Sequence, residues 1–146
     1  MATRSTIAIE AADGTVKQVY CHWDGYLDHN GKLLLTHYSD AAKAAALVAL
    51  GSISSLRAEV GEKHDFSGNE GRENRWTTAY HRDRGEDHDV HEFANFEAYR
   101  NDHQYEEFEY ILRNTGEWQV SSYSEDYVPL AEAIAAEMID NEMAED

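Results

Sequence analysis

Arg4-Ser5-Thr6-Ile7-Ala8-Ile9-Glu10, then Asp13-Gly14, then Thr15-Val16-Lys17-Gln18-Val19-Tyr20-Cys21-His22-Trp23 decide the fold class. Ile7 and Ile9 alternate with Thr6 and Ala8, the period of a half-buried strand, and Asp13-Gly14 is a hairpin turn signal. Two antiparallel strands follow. Beyond them Asp24-Gly25-Tyr26 turns the chain out of the sheet, with Gly25 expected to take a positive φ.

Outward from this hairpin, Leu27, Leu34, Leu35 and Tyr38 share one helical face and predict a helix from Asp28 to Ser39, weakened at Gly31. Asp40 reads as the N-cap of an alanine-rich helix, Ala41 to Leu50, which Gly51 closes. Ser52 to Val60 reads as a further short helical turn, Gly61 to Arg75 as a long exposed loop, and Trp76 to His81 as a third strand. Glu86 to Glu107 carry a partial helical stripe (Val90, Phe93, Phe96 or Ala94, and Tyr99) and read as acidic helical or irregular chain. Phe108 to Arg113 and Glu117 to Tyr123 flank Asn114-Thr115-Gly116 and form a second hairpin. A last helix is expected from a cap near Ser124 or Asp126, with Pro129 in its first turn. Its buried stripe would be Tyr127, Leu130, Ala131, Ile134, Ala135 and Met138, and residues from about 141 to 146 would form a frayed acidic tail. The sum is α+β: a single two-layer domain over residues 1–146, about five mostly antiparallel strands with helices packed on one face.

The composition supports a folded chain. Its 42% hydrophobic content, three tryptophans and nine tyrosines exceed what a disordered acidic chain carries. Cys21 is the only cysteine, which excludes an internal disulfide and a four-cysteine zinc site and fits a reducing compartment. The first residues lack the apolar core of a signal peptide, and no apolar run approaches the ~20 residues of a membrane span. These features predict a soluble, cytoplasmic protein.

Charge is distributed unevenly. The formal net charge is −17, yet residues 1–85 hold eleven acids against ten bases, whereas residues 86–146 hold eighteen acids against only Arg100 and Arg113. Such a chain repels phosphates and anionic membranes, so direct nucleic-acid or membrane binding is not expected. A basic protein is the expected partner.

Four groups of residues invite chemistry. Cys21, His22 and Asp24 are the parts of a nucleophilic triad, but adjacent residues on a strand point to opposite faces, so Cys21 and His22 cannot be partners there. His88 and His91, with Asp87, Asp89, Glu92 and His103, are ligand types suited to zinc, though no complete signature is present; a solvated face carrying histidines is the expectation, with no metal or cofactor. Tyr80-His81-Arg82-Asp83-Arg84-Gly85, with Arg72 and Arg75, is the one concentrated basic stretch. Its guanidiniums suit phosphate capture, and His81, Arg82 and Arg84 facing His22, Asp24 and Tyr26 make a nucleotide pocket the alternative ligand site. Internal pairing of the arginines with the acidic half is the competing expectation.

The acidic half carries the fourth and leading reading. Asp87, Asp89, Glu92, Glu97, Asp102, Glu106, Glu107 and Glu109 are interleaved with Phe93, Phe96, Tyr99, Tyr105, Phe108 and Tyr110. Carboxylates at that density imitate a phosphate backbone, and DNA-binding grooves rich in Lys and Arg can receive them. The competing expectation is an acidic solubilising surface or salt adaptation; the latter would acidify the whole chain, whereas residues 1–85 are nearly balanced. Trp76, Trp118 and the tyrosines are equally suited to a subunit interface, so a homo-oligomer is compatible with the composition.

Thr3-Arg4-Ser5 with Ile7 and Ile9, together with Tyr20-Cys21-His22-Trp23-Asp24-Gly25-Tyr26, resembles small uncharacterised proteins of bacteriophages and prophages. The similarity extends through Leu33-Leu34-Leu35, His37-Tyr38 and Ala79 to Gly85. It brings no catalytic residue with it. The resemblance implies a phage origin and activity in the cytoplasm of an infected host: a DNA mimic against restriction or CRISPR proteins, or a sponge or hydrolase for a signalling nucleotide. The expected function is therefore non-enzymatic inhibition of a host nucleic-acid-binding defence protein.

Overall fold

Asp13 Oδ1 accepts hydrogen bonds from the Thr15 amide (3.0 Å) and hydroxyl (2.7 Å), and Gly14 takes φ 91°, so Ser5–Glu10 (β1) folds back on Val16–Cys21 (β2). The computed structural model describes residues 3–66, 75–102, 106–123 and 125–145, with backbone only from 140 onward. The later strands are Ile53–Ser55 (β3), Thr78–Ala79 (β4), His91–Phe93 (β5), Phe108–Leu112 (β6), Trp118–Ser122 (β7) and Val128–Pro129 (β8). A π-helical turn, Leu27–Gly31, leads into Lys32–His37 (α1); Ala41–Val48 (α2), Tyr80–Arg84 (α3), Phe96–Asn101 (α4) and Leu130–Glu145 (α5) follow. Among the described residues the result is a single α+β domain with an eight-strand mixed sheet and five α-helices beside the π-helical turn.

The sheet order is β4-β3-β2-β1-β6-β7-β8, with β5 pairing the first half of β2 beside β3. β1 runs parallel to β6, which places the second hairpin next to the first, and β2 runs parallel to β3. Among the described residues the other strand-to-strand pairings are antiparallel, and an isolated bridge joins Glu59 to Trp76 in parallel. The β6–β7 turn repeats the bonds of the first: the Gly116 amide donates to the Arg113 carbonyl and the Arg113 amide to the Glu117 carbonyl, both at 2.9 Å. Both are three-residue loops ending in a left-handed glycine.

Three more strands exist than the local patterns predict. Ser52 to Val60 forms no helical turn; Ile53–Ser55 is captured as β3 between β2 and β4. Pro129 belongs to the edge strand β8 rather than to a helical first turn, a place where a missing N–H costs no ladder bond. The expected strand from Trp76 to His81 is cut to two residues. The Asp83 carboxylate reaches back to the Ala79 amide at 2.8 Å and starts α3 at Tyr80. In α2, Asp40 caps as expected, accepting from the Ala42 amide at 2.9 Å.

The main core lies on one sheet face. Ile7, Val19, Cys21, Tyr110, Leu112, Trp118 and Val120 point there and meet Leu34, Tyr38, Leu47, Leu130 and Ile134 from α1, α2 and α5. Buried polar tips are paired: Tyr110 donates its hydroxyl to the Gly25 carbonyl at 2.6 Å, and Trp118 Nε1 donates to the Tyr38 carbonyl at 2.9 Å. In α5 only Leu130 and Ile134 of the expected stripe are buried. Met138 is 52% exposed, and the helix continues to Glu145 through the stretch expected to fray.

Helices do not cover one face alone. Ala8, Val16 and Ile111, which alternate with the main-core residues, pack under Tyr99 of α4 with Phe93, Phe96 and Tyr127. Asn95 caps α4 by accepting from the Ala98 amide at 2.8 Å. This second face is more polar, burying Thr6, Gln18, Glu109 and Ser121.

Candidate functional site

Of the acidic segment from Glu86 to Glu107, expected to be helical or irregular, Phe96–Asn101 is helical (α4), Glu86 to Val90 form no regular element, and His91–Phe93 is strand β5. From Asp87 to Glu92 its side chains alternate between two clefts. Glu86, Asp87 and Asp89 border one of about 260 Å³, shared with Tyr20, Ser52 and Tyr80. His88, Val90 and Glu92 border another of about 330 Å³, whose far wall includes Val48 and Ala49 of α2. A period of two is strand geometry, and β5 continues it onto β2. His88 pins the segment by donating from Nε2 to the Ala49 carbonyl (2.7 Å) at the C-terminal end of α2.

The carboxylates expected to meet a partner fall into three groups. Asp87, Asp89, Glu92, Glu97 and Asp102 are exposed. Among the described residues Asp87, Asp89 and Glu97 make no ion pair, and Glu92 has Lys17 at 4.0 Å. Glu106 and Glu107 are half-buried just before β6, with Glu106 near Arg4 and His22. Burial raises the Glu106 carboxyl above its ordinary range and Glu107 adds to the rise, while Arg4 and His22 oppose it. Glu109 is a correction: it is 2% exposed, because its position in β6 points it into the polar second face, and it is not available for docking.

The alternative ligand site does not assemble as expected. Arg82 turns inward: Nη1 donates to the Val60 carbonyl (2.9 Å) and the Gly61 carbonyl (3.2 Å), Nη2 to the Thr77 carbonyl (2.5 Å), and Nε to Asp83 (2.9 Å). Arg84 pairs with Glu86 and lies over the rings of Phe66 (4.3 Å) and Tyr80 (5.2 Å). His81 donates from Nδ1 to the Glu86 carbonyl at 2.7 Å and packs against His88, the rings tilted by 56° with centroids 5.0 Å apart. His22 instead shares a 2.7 Å hydrogen bond with the Tyr20 hydroxyl, and Tyr26 rests against His29. Asp24, not Gly25, carries the left-handed turn, at φ 58°. Arg72 and His103 lie outside the described residues, as do Tyr105 and Ser124.

Cys21 and His22 do occupy opposite faces. The Cys21 thiol is fully buried on the main-core side, 3.4 Å from Asn30 Nδ2, and burial pushes its pKa up to about 11. It is a packing residue with no accessible thiolate. His88 and His91 are likewise not joined, since His88 faces Ala49 and His91 sits on β5; among the described residues no three His, Cys, Asp or Glu side chains are grouped to hold a metal.

No protein-family model matches this chain, and none of the curated proteins or solved structures compared with it matches either. Among the described residues no helix is long and apolar enough to cross a membrane. The pattern of residues missed Glu86, which borders the Tyr20–Tyr80 cleft, and the pairing of Arg100 with Arg113 around another cavity.

Proposed function

We propose that this chain is a non-enzymatic, phage-type inhibitor that docks on the basic face of a host nucleic-acid-binding protein. The phage assignment rests on the resemblance of residues 1–85. One structural observation supports the docking reading above others: Asp87 and Asp89, exposed and without ion pairs among the described residues, edge a cleft of about 260 Å³ floored by Tyr20 and Tyr80. Carboxylates over phenol rings suit a Lys or Arg side chain, which gains charge pairing at its head and ring contact along its stem. Glu92 and Glu97 extend the negative field along the same stretch, which would speed encounter and make it salt-sensitive. The nucleotide reading has less support, because Arg82 is spent on backbone carbonyls and Arg84 on Glu86.

The test is affinity capture from host lysate with the intact chain beside an Asp87→Lys, Asp89→Lys, Glu92→Lys, Glu97→Lys variant. All four positions are exposed, so the variant is expected to melt within a few degrees of the parent. A nucleic-acid-binding protein held by the intact chain at low salt, released as salt rises, and not held by the variant supports the reading. Equal retention by the variant sinks it. A thermal shift of the intact chain with a nucleotide would move the assignment to the alternative, since ligand at 100 times its dissociation constant adds ~2.7 kcal/mol.

A further inference from the structure

The only two basic residues of the acidic half converge on one cavity. Its volume is about 340 Å³, and Phe96 and Arg100 from α4, Arg113 after β6, Gln119 from β7, and Asp126 and Tyr127 before β8 line it. That volume falls in the range of small-molecule sites, roughly 300–1,000 Å³.

Arg113 is held in place from three sides. Nε donates to Glu10 Oε1 at 2.9 Å, Nη1 donates to Gln119 Oε1 at 3.1 Å, and the guanidinium lies 3.7 Å from the Phe96 ring centroid. A guanidinium has five N–H donors, and these two bonds leave both hydrogens of Nη2 and one of Nη1. Those three are enough for the two parallel bonds that a carboxylate accepts. Arg100 also lines the cavity, tied to Asp126 by one 3.3 Å contact between side chains that are 54% and 90% exposed. Such a pair is worth little, ~0–1 kcal/mol, so an incoming anion can exchange with Asp126.

We propose that this cavity binds a small monocarboxylate with an apolar body. The single charge follows from the neighbours. Glu10 already balances Arg113 and Asp126 balances Arg100, so the site offers directed donors without excess positive charge. On a chain of net charge −17 a doubly charged phosphate meets repulsion that those donors do not offset. The apolar body follows from Phe96 and Tyr127, packed edge to face with centroids 5.5 Å apart, which give the cleft an aromatic wall beside the guanidiniums.

Benzoate and inorganic phosphate, titrated separately into the ¹⁵N-labelled full chain, test this by NMR. Saturable shifts with benzoate at Phe96, Arg100, Arg113, Gln119 and Tyr127 are expected, with phosphate clearly weaker. Arg100→Gln, at an exposed position, should weaken benzoate about tenfold, the factor that loss of one charge-assisted hydrogen bond carries. Arg113→Lys keeps the charge, loses the fork and should weaken it further. No saturable shift, shifts that map elsewhere, phosphate binding as tightly as benzoate, or an unchanged Arg100→Gln would each overturn the proposal. It does not rest on the docking reading, whose variants leave both arginines in place.

Discussion

Arg113 and Glu10 are 103 residues apart in sequence, and Arg113 Nε donates to Glu10 Oε1 at 2.9 Å. The same oxygen accepts from the Asn114 amide at 3.0 Å, and Asn114 Nδ2 donates to the Ala11 carbonyl at 3.4 Å, so two hairpin turns are fastened side by side. Burial alone would raise the Glu10 carboxyl. The hydrogen bonds from Arg113 and Asn114, with the Arg113 charge, outweigh it and hold the group below the ordinary 4.5.

A lowered carboxyl in the fold means that the unfolded chain binds more protons around pH 4.5 than the folded one. The stability from this pair is therefore complete above that pH and is lost as pH falls through the depressed value. Glu10→Gln should cost about 1–3 kcal/mol at pH 7 and flatten the acid limb of a Tm-against-pH curve. An acid limb as steep as the parent's would show that other carboxylates set it.

Gly25→Ala should be more damaging than its sequence context suggests. A Cβ there would stand 2.7 Å from Ser5 Cβ and 2.8 Å from the Thr3 carbonyl oxygen, while the Gly25 amide and carbonyl are bound to Thr3 and to Tyr110. We expect ~1–3 kcal/mol from the forced backbone shift, measured by denaturant unfolding. Gly85→Ala meets no atom within 4 Å and should cost only the left-handed φ, roughly 1–2 kcal/mol.

Asp83 supports α3 and the loop above it. Its side chain is 0% exposed and accepts from the Ala79 amide (2.8 Å), the His64 amide (3.1 Å) and Arg82. Asp83→Ala leaves Arg82 and two amides without this acceptor and should cost ~3–5 kcal/mol, read from the urea midpoint. Arg82→Lys should recover little, because one ammonium cannot span Thr77, Val60 and Asp83 together.

Cys21 should be silent toward thiol reagents in the folded protein. With its pKa pushed up to about 11 by burial, only about one thiol in ten thousand is ionised at pH 7. Labelling by an aromatic disulfide should therefore follow the global unfolding rate and accelerate with denaturant. Fast labelling without denaturant would mean that the thiol is exposed by a local opening.

The parts legible in the sequence are those fixed by neighbours in the chain. Asp13-Gly14 and Asn114-Thr115-Gly116 bend the chain through their own side chains and φ angles, and Asp40 caps α2 two residues away. β3 has no such local signal: within Ser52 to Val60, Ile53–Ser55 becomes strand only because β2 and β4 lie on either side of it. Asp83 shortens β4 by the same logic, from a carboxylate four residues ahead. At the candidate site, the exposure of Asp87, Asp89, Glu92 and Glu97 was legible from charge. The burial of Glu109 depends on which face of β6 it occupies, and that is set by the parallel pairing with β1. The inward turn of Arg82 depends on Val60 and Gly61 carbonyls that no pattern near Arg82 announces.

That parallel pairing also sets a schedule for biosynthesis. β1 leaves the ribosome as one edge of a hairpin, and the strand that covers it begins at Phe108. At ~5–20 residues per second, close to a hundred further residues take on the order of 5–20 s to emerge. For that interval Ile7 and Ile9 sit on an uncovered strand edge, the arrangement that recruits other chains. The yield of native protein is then governed by how fast the C-terminal half is translated, and slowing its codons should increase aggregation before any change in the stability of the finished fold.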